Sequence, residues 1–161
     1  MFTPIGLMNR MLNQRRFILR YLILSGILHL AWEVLQLPLY SLWRDSTDVQ
    51  IAFAVGHCTV GDLLIALASL AAALLLTGTA QWPQLRYVSV AVATVLLGVS
   101  YTAFSEWRNT VVTQSWAYSA LMPQLWGIGF SPLAQWVVVP SAVFLAARKY
   151  VTDVTPRATH L

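Results

Sequence analysis

Three long apolar segments, separated by short polar connections, occupy the first two thirds of the 161-residue chain. They run from about Phe17 to Leu37, from Ile51 to Thr77 and from Tyr87 to Trp107. The first is closed by Pro38, which cannot continue the hydrogen-bond ladder of a helix. An apolar run of about 20 residues is long enough to cross a bilayer as a helix. The pattern therefore predicts three transmembrane helices.

The last third of the chain is apolar but broken. Trp116 to Ala147 is 32 residues long, too long for a single span of about 20 residues. It is interrupted by prolines and glycines at positions 123, 127, 129, 132 and 140. We expect an irregular interfacial or re-entrant segment (Trp116–Phe130), followed by a fourth span (Ser131–Ala147). A fifth true span is the alternative.

The distribution of basic residues favours four spans over five. With four spans, eight of the ten basic residues lie on one side of the membrane and only Arg44 and Arg108 on the other. Because cytoplasmic loops carry an excess of Lys and Arg, this side is predicted to be the cytoplasm, with both termini inside. Five spans would place the basic pair Arg148–Lys149 outside. The predicted fold is an all-α, polytopic bundle of four transmembrane helices in a bacterial inner membrane.

The predicted organisation has three parts. Residues 1–16 form a basic cytoplasmic segment, residues 17–148 the transmembrane domain, and residues 149–161 a polar cytoplasmic tail. Apolar residues make up 58% of the chain and charged residues 10%, against about 25% charged in soluble domains. The expected surroundings are therefore the lipid bilayer. A partner membrane protein or a second copy is also open, whereas no basic run is dense enough to bind nucleic acid.

Ionisable side chains in the apolar segments are the candidate functional residues. Each costs a membrane helix roughly 2.5–3.5 kcal/mol on insertion scales, so such residues usually have a function. In the four-span topology all of them lie in the half of the bilayer away from the termini, which indicates one shared site. The five residues are His29, Glu33, His57, Asp62 and Glu106.

Their spacing refines this prediction. His29, Glu33 and Gln36 follow at i, i+4 and i+7, on one face of a helix. His57 and Asp62 are five residues apart, about 140° around an ideal helix. They converge only if the helix is irregular near His57.

The third span has its own stripe. Thr94, Gly98, Thr102 and Glu106 follow one another at intervals of four residues. Small residues at this spacing let a neighbouring helix approach closely. The spacing predicts a packed face that carries Glu106 at its end.

Two imidazoles and several carboxylates indicate a metal site. Zinc, iron or manganese would suit these ligands, and a catalytic zinc needs three protein ligands and an open position. The predicted metal ligands are His29, Glu33 and His57, with Asp62 or Glu106 as a fourth ligand or general base. Glu33, Asp62 and Glu106 are the candidate catalytic acids or bases. A base beside metal-bound water would give a hydrolase-like enzyme that acts on a lipid-accessible substrate.

Other classes of function remain open. Chains of Asp, Glu and His mark ion and proton pathways, so the protein could be a component of a proton- or ion-coupled transporter. The small-residue faces Ala68–Ala72 and Thr94–Gly98 suit an accessory or assembly subunit that binds partner helices. In the simplest interpretation, the polar side chains hydrogen-bond one another and hold the bundle together. Whether the chain is an enzyme is therefore undecided at this point.

Overall fold

The structure is a computed structural model that describes residues 4–77 and 82–152. Four long helices dominate it: α1 (Pro4–Gln36), α3 (Asp48–Thr77), α4 (Tyr87–Trp107) and α5 (Phe130–Thr152). A short helix, α2 (Leu42–Asp45), lies between the first two. Four segments are long and apolar enough to cross a membrane: Met11–Leu39, Asp48–Thr77, Tyr87–Val112 and Phe130–Arg148. The predicted all-α, polytopic four-helix bundle is confirmed.

One end of the bundle carries most of the irregular structure, and we call residues 37–47 and 113–129 the cap. A short 3-10 helix (Leu37–Leu39) precedes α2, and a short π-helix (Arg108–Val112) extends α4. The two parts of the cap are joined by backbone hydrogen bonds, from Ser41 N to the Ala117 carbonyl (3.0 Å) and from Ser119 N to the Leu39 carbonyl (2.9 Å).

The segment predicted to be irregular, Trp116–Phe130, contains no helix up to Gly129. Two very short antiparallel strands form a hairpin within it, β1 (Gln124–Leu125) and β2 (Ile128–Gly129). The turn between the strands uses Trp126 and Gly127, both at positive φ. The segment thus lies across one end of the bundle.

The first helix is longer than the predicted span. It begins at Pro4, so residues 4–16 continue the transmembrane helix instead of forming a separate element. At the other terminus, α5 ends at Thr152. Residues 1–3 and 153–161 of the predicted terminal segments lie outside the described residues. The assignment of both segments to the cytoplasm stays a prediction.

The four long helices form a ring in which α1 and α4 each pack against α3 and α5. Their buried faces follow the period of a helix, with contacts every three or four residues. The stripe on α1 consists of Phe17, Tyr21, Ser25, His29 and Gln36. The stripe on α4 consists of Val90, Thr94, Gly98, Thr102 and Glu106, which confirms the predicted four-residue spacing as a packed face.

The interior of the bundle changes character along its length. Toward the end that carries the chain termini, aromatic rings fill the core. The rings of Phe17 and Trp82 pack edge to face, with their centroids 4.6 Å apart. The ring centroids of Tyr21 and Phe144 are 5.3 Å apart. Toward the cap, polar side chains replace them. The candidate site lies in this polar half.

Helices α4 and α5 pack tightly against each other at Gly98. A Cβ atom built on Gly98 would lie 2.2 Å from Cε3 of Trp136, a distance that only glycine allows. The Thr94–Gly98 face, considered above as a surface for a partner helix, is therefore occupied by a helix of the same chain.

Candidate functional site

A single amide group joins the polar half of the bundle. Gln135 projects from α5, where it follows Ser131 by one turn. Its Nε2 atom lies 2.9 Å from Nδ1 of His29, 3.1 Å from Oε1 of Glu33 and 2.9 Å from Oδ2 of Asp62. His29 also contacts Asp62 directly, with 3.3 Å between Nδ1 and Oδ2. Helices α1, α3 and α5 thus meet at one nitrogen atom.

Further hydrogen bonds extend this arrangement toward the cap. Gln36 donates from Nε2 to Oε1 of Glu33 (2.9 Å) and accepts a bond from the Ser131 hydroxyl at its Oε1 (2.9 Å). The Ser131 hydroxyl accepts in turn from the indole nitrogen of Trp32 (3.2 Å). We call the connected side chains the central network: His29, Glu33, Gln36, Asp62, Ser131 and Gln135.

The Gln135 amide has fewer hydrogens than polar neighbours. Its nitrogen carries two hydrogens but has three polar atoms within 3.1 Å. Glu33 also accepts from Gln36, so the two hydrogens of Gln135 suffice for His29 and Asp62 when Nδ1 of His29 is unprotonated. When Nδ1 carries a proton, it can donate to Asp62, 3.3 Å away. The central network therefore accommodates His29 with or without a proton on Nδ1.

Members of the network differ in accessibility. His29 is 1% exposed and Gln135 2%, whereas the side chain of Asp62 is 11% exposed and Glu33 is half-buried. Glu33 is therefore the most accessible of these four side chains, and Asp62 is buried. His29 contacts the Trp136 ring at a centroid distance of 5.0 Å. Carboxyl groups backed by an imidazole can accept and return protons without contact between the imidazole and a substrate.

Glu106 has different partners. It is buried near the end of α4 and accepts a hydrogen bond from the Tyr118 hydroxyl. That hydroxyl accepts a bond from the Gly129 backbone nitrogen (2.8 Å). Burial raises the pKa of the Tyr118 phenol, so it stays protonated and remains a donor. Glu106 therefore links the cap to α4 through its hydrogen bond with Tyr118.

His57 lies apart from the other four predicted site residues. It is exposed and stacks on Phe53, one turn away, at a centroid distance of 5.8 Å. The reason is that α3 runs without interruption from Asp48 to Thr77, so His57 and Asp62 keep their angular separation of about 140°. The irregular helix start that would make them converge does not occur.

The predicted metal ligands are thus brought together only in part. His29, Glu33 and Asp62 meet in the central network, but His57 does not join them. Among residues 4–77 and 82–152, no three His, Cys, Asp or Glu side chains are grouped so as to hold a metal ion.

Three residues of the site were not among the predicted site residues: Gln135, Ser131 and Tyr118. Ser131 and Gln135 follow each other at i, i+4 inside an apolar span, the same kind of signal that identified His29 and Glu33. Uncharged polar residues are less costly in a membrane helix, which makes that signal weaker. Tyr118 lies in an irregular segment and gave no periodic signal.

The functional meaning of the site depends on this geometry alone. Compared with protein-family models, curated proteins and solved structures, the chain has no match.

Proposed function

We propose that the protein is a membrane-embedded enzyme that uses acid–base catalysis on a lipid-soluble substrate. The observation that carries this proposal is the convergence of His29, Glu33 and Asp62 on the Gln135 amide. Two carboxyl groups and an imidazole held by one amide are the kinds of side chain that general acid–base catalysis uses. In this proposal, Glu33 and Asp62 exchange protons with the substrate. His29 is a positioning residue that stores a proton behind them.

Several features support a substrate that arrives through the bilayer. Both carboxyl groups lie within segments long and apolar enough to span a membrane. Large apolar side chains cover the outer faces of the same helices, for example Ile27, Leu30 and Leu64. In this proposal, a membrane-soluble molecule approaches the half-buried Glu33 from the lipid.

We also propose a location in a bacterial inner membrane with both termini in the cytoplasm. Arg15, Arg16, Arg20, Arg86 and Arg148 all lie toward the end of the bundle opposite the cap, and Arg44 and Arg108 lie at the cap end. Lys149, Arg10 and Arg157 contribute by sequence position only. The positive-inside rule then places the cap on the periplasmic side.

The second candidate is proton-coupled transport. It is favoured by the fact that the central network connects three different helices, so that a change in protonation alters contacts between helices. Intramembrane networks of this kind mark proton pathways. A metal-dependent reaction and a role as accessory subunit of a larger complex are further proposals, and the experiment below separates them.

The test combines a proton measurement with a search for turnover. Infrared difference spectroscopy of the purified protein during pH changes should show a carboxyl absorption band. The band should be absent from Asp62→Asn and present in the control His57→Gln, which changes an exposed residue. Incubation with total membrane lipid in D2O should give a chemically altered lipid, identified by mass spectrometry. Asp62→Asn should slow its formation about 10²–10⁴-fold, the usual contribution of general acid–base catalysis.

Other outcomes would redirect the proposal. Turnover that persists in a well-folded Asp62→Asn protein would contradict acid–base catalysis by this network. Near-stoichiometric metal in the wild type, lost in both His29→Ala and Asp62→Ala, would replace it with metal chemistry. Proton flux into liposomes without any altered lipid would favour transport. Stoichiometric co-purification of another membrane protein, with neither lipid turnover nor flux, would favour an accessory subunit.

A further inference from the structure

A groove lies between α4 and α5 at the end of the bundle opposite the cap. It has a volume of about 340 Å³, and none of its lining residues belongs to the central network. Ala91 and Ser141 are two small residues in its lining, and they leave room where larger side chains would fill the space. Tyr87 and Phe144 also line it, and their contact, a hydrogen bond from the Tyr87 hydroxyl to the Phe144 carbonyl, holds the two helices together there.

The rim of the groove faces the bilayer. Val88, Leu96 and Leu145 line it and are 63%, 61% and 68% exposed. Along α4 the lining extends from Tyr87 to Leu96, about 13 Å at 1.5 Å per residue. A long, narrow, apolar hollow open to lipid fits an extended hydrocarbon chain better than it fits a compact polar molecule.

One end of the groove is charged. Arg148 belongs to the lining, near the end of α5 that lies opposite the cap. Its side chain is exposed. Arg86, just before α4, is not part of the lining, and its guanidinium donates to the Thr77 carbonyl at the end of α3 (2.9 Å). A guanidinium is well suited to bind phosphate through paired hydrogen bonds.

We infer that this groove is a binding site for one anionic phospholipid. An acyl chain lies along the α4–α5 groove, and Arg148 binds the headgroup phosphate. A net negative headgroup is preferred because it has no ammonium group to repel Arg148. This site is independent of the acid–base network, and it gives the lipid a structural role between the two helices.

Native mass spectrometry of the protein released from nanodiscs with equal amounts of phosphatidylglycerol and phosphatidylcholine tests the site. The wild type should retain one phosphatidylglycerol in preference to phosphatidylcholine. Arg148→Gln should weaken this retention about fivefold, the contribution of one basic residue near anionic lipid. Arg44→Gln, which removes an exposed arginine at the cap end, is the matched control and should leave it unchanged.

Filling the groove provides a second variant. Ser141→Leu occupies the hollow while Arg148 stays in place, so it should also reduce the retained phosphatidylglycerol. Equal retention of both lipids by the wild type would overturn the inference. Retention by Arg148→Gln at the wild-type level would overturn it as well.

Discussion

At the scale of single residues, the centre of the site is an uncharged amide. Gln135 donates to two acids and approaches an imidazole, yet it has no titratable proton of its own within the physiological range. Gln135 therefore stays uncharged whatever the protonation of its neighbours. A charged residue at the same place would be expensive in the bilayer and would bind one of its partners too strongly.

Replacement of Gln135 by methionine should destabilise the bundle. Methionine keeps the length of the side chain but removes the donor, which leaves the buried partners without an amide. We expect a loss of about 1–3 kcal/mol in the free energy of unfolding, the cost of unsatisfied buried polar groups. Val138→Met changes an exposed position on the same helix and is the control. Equal stability of both variants and the wild type, measured by unfolding in mixed micelles, would show that the network contributes little.

The candidate residues were predictable to different degrees. His29, Glu33 and Asp62 stand out because an ionisable side chain in an apolar span has few harmless explanations. Their convergence with Gln135 was not predictable, since it depends on how α5 is rotated against α1 and α3. His57 looked equivalent in the sequence. Only the uninterrupted course of α3 shows that it faces away from the network.

At the scale of helices, a glycine lets α4 pack tightly against α5. Gly98 accommodates the Trp136 ring, and His29 packs against the same ring from α1. This packing also orients the turn of α5 that carries Gln135, because Trp136 is the next residue. A helix contact and the position of a functional side chain therefore depend on one another.

Gly98→Ala should disturb this contact. The added methyl group would lie 2.2 Å from the ring, so the helices must separate or the indole must turn. We expect a loss of about 1–3 kcal/mol in unfolding free energy, typical of overpacking. Gly56→Ala is the matched control, since its Cβ meets nothing within 4 Å; it should be neutral or slightly stabilising. Thermal unfolding in detergent separates the two, and equal melting temperatures would contradict the packing argument.

The helices themselves were largely predictable, and the cap was not. The length and hydropathy of the apolar runs determine the four spans, and their observed bounds differ from the predicted ones mainly at the ends. In the cap, the chain follows hydrogen bonds between segments distant in sequence, such as that from the Ser119 hydroxyl to the Pro38 carbonyl (2.8 Å). No local pattern encodes such contacts. Breaks at proline and glycine predicted irregularity there, but not the path of the chain.

At the scale of the whole molecule, the two ends of the bundle are chemically different. The central network and the cap occupy one end, and aromatic packing with most of the described arginines occupies the other. This polarity is the basis of the proposed orientation. In that proposed orientation, a substrate or proton from the periplasm would meet the cap first.

Cysteine labelling in intact cells can test the orientation. In a Cys58→Ser background, Ser115→Cys introduces an exposed thiol at the cap end, and Gln84→Cys introduces one between α3 and α4. A membrane-impermeant maleimide should label Ser115→Cys from outside, and Gln84→Cys only after the cells are lysed. The reverse result would place the cap in the cytoplasm. The proposed orientation would then be wrong.

The position of Gln135 in the last helix also has a consequence for biosynthesis. Ribosomes make the chain from its N-terminus, so His29, Glu33 and Asp62 enter the membrane before the amide that joins them has been made. Until α5 is inserted, the first three helices hold these side chains without their common partner. Insertion of α5 then completes the hydrogen bonds and closes the bundle in the same step. In a truncated chain without α5, His29, Glu33 and Asp62 therefore lack the hydrogen-bond partner that they have in the finished chain. Membrane proteases can distinguish the two chains by this difference.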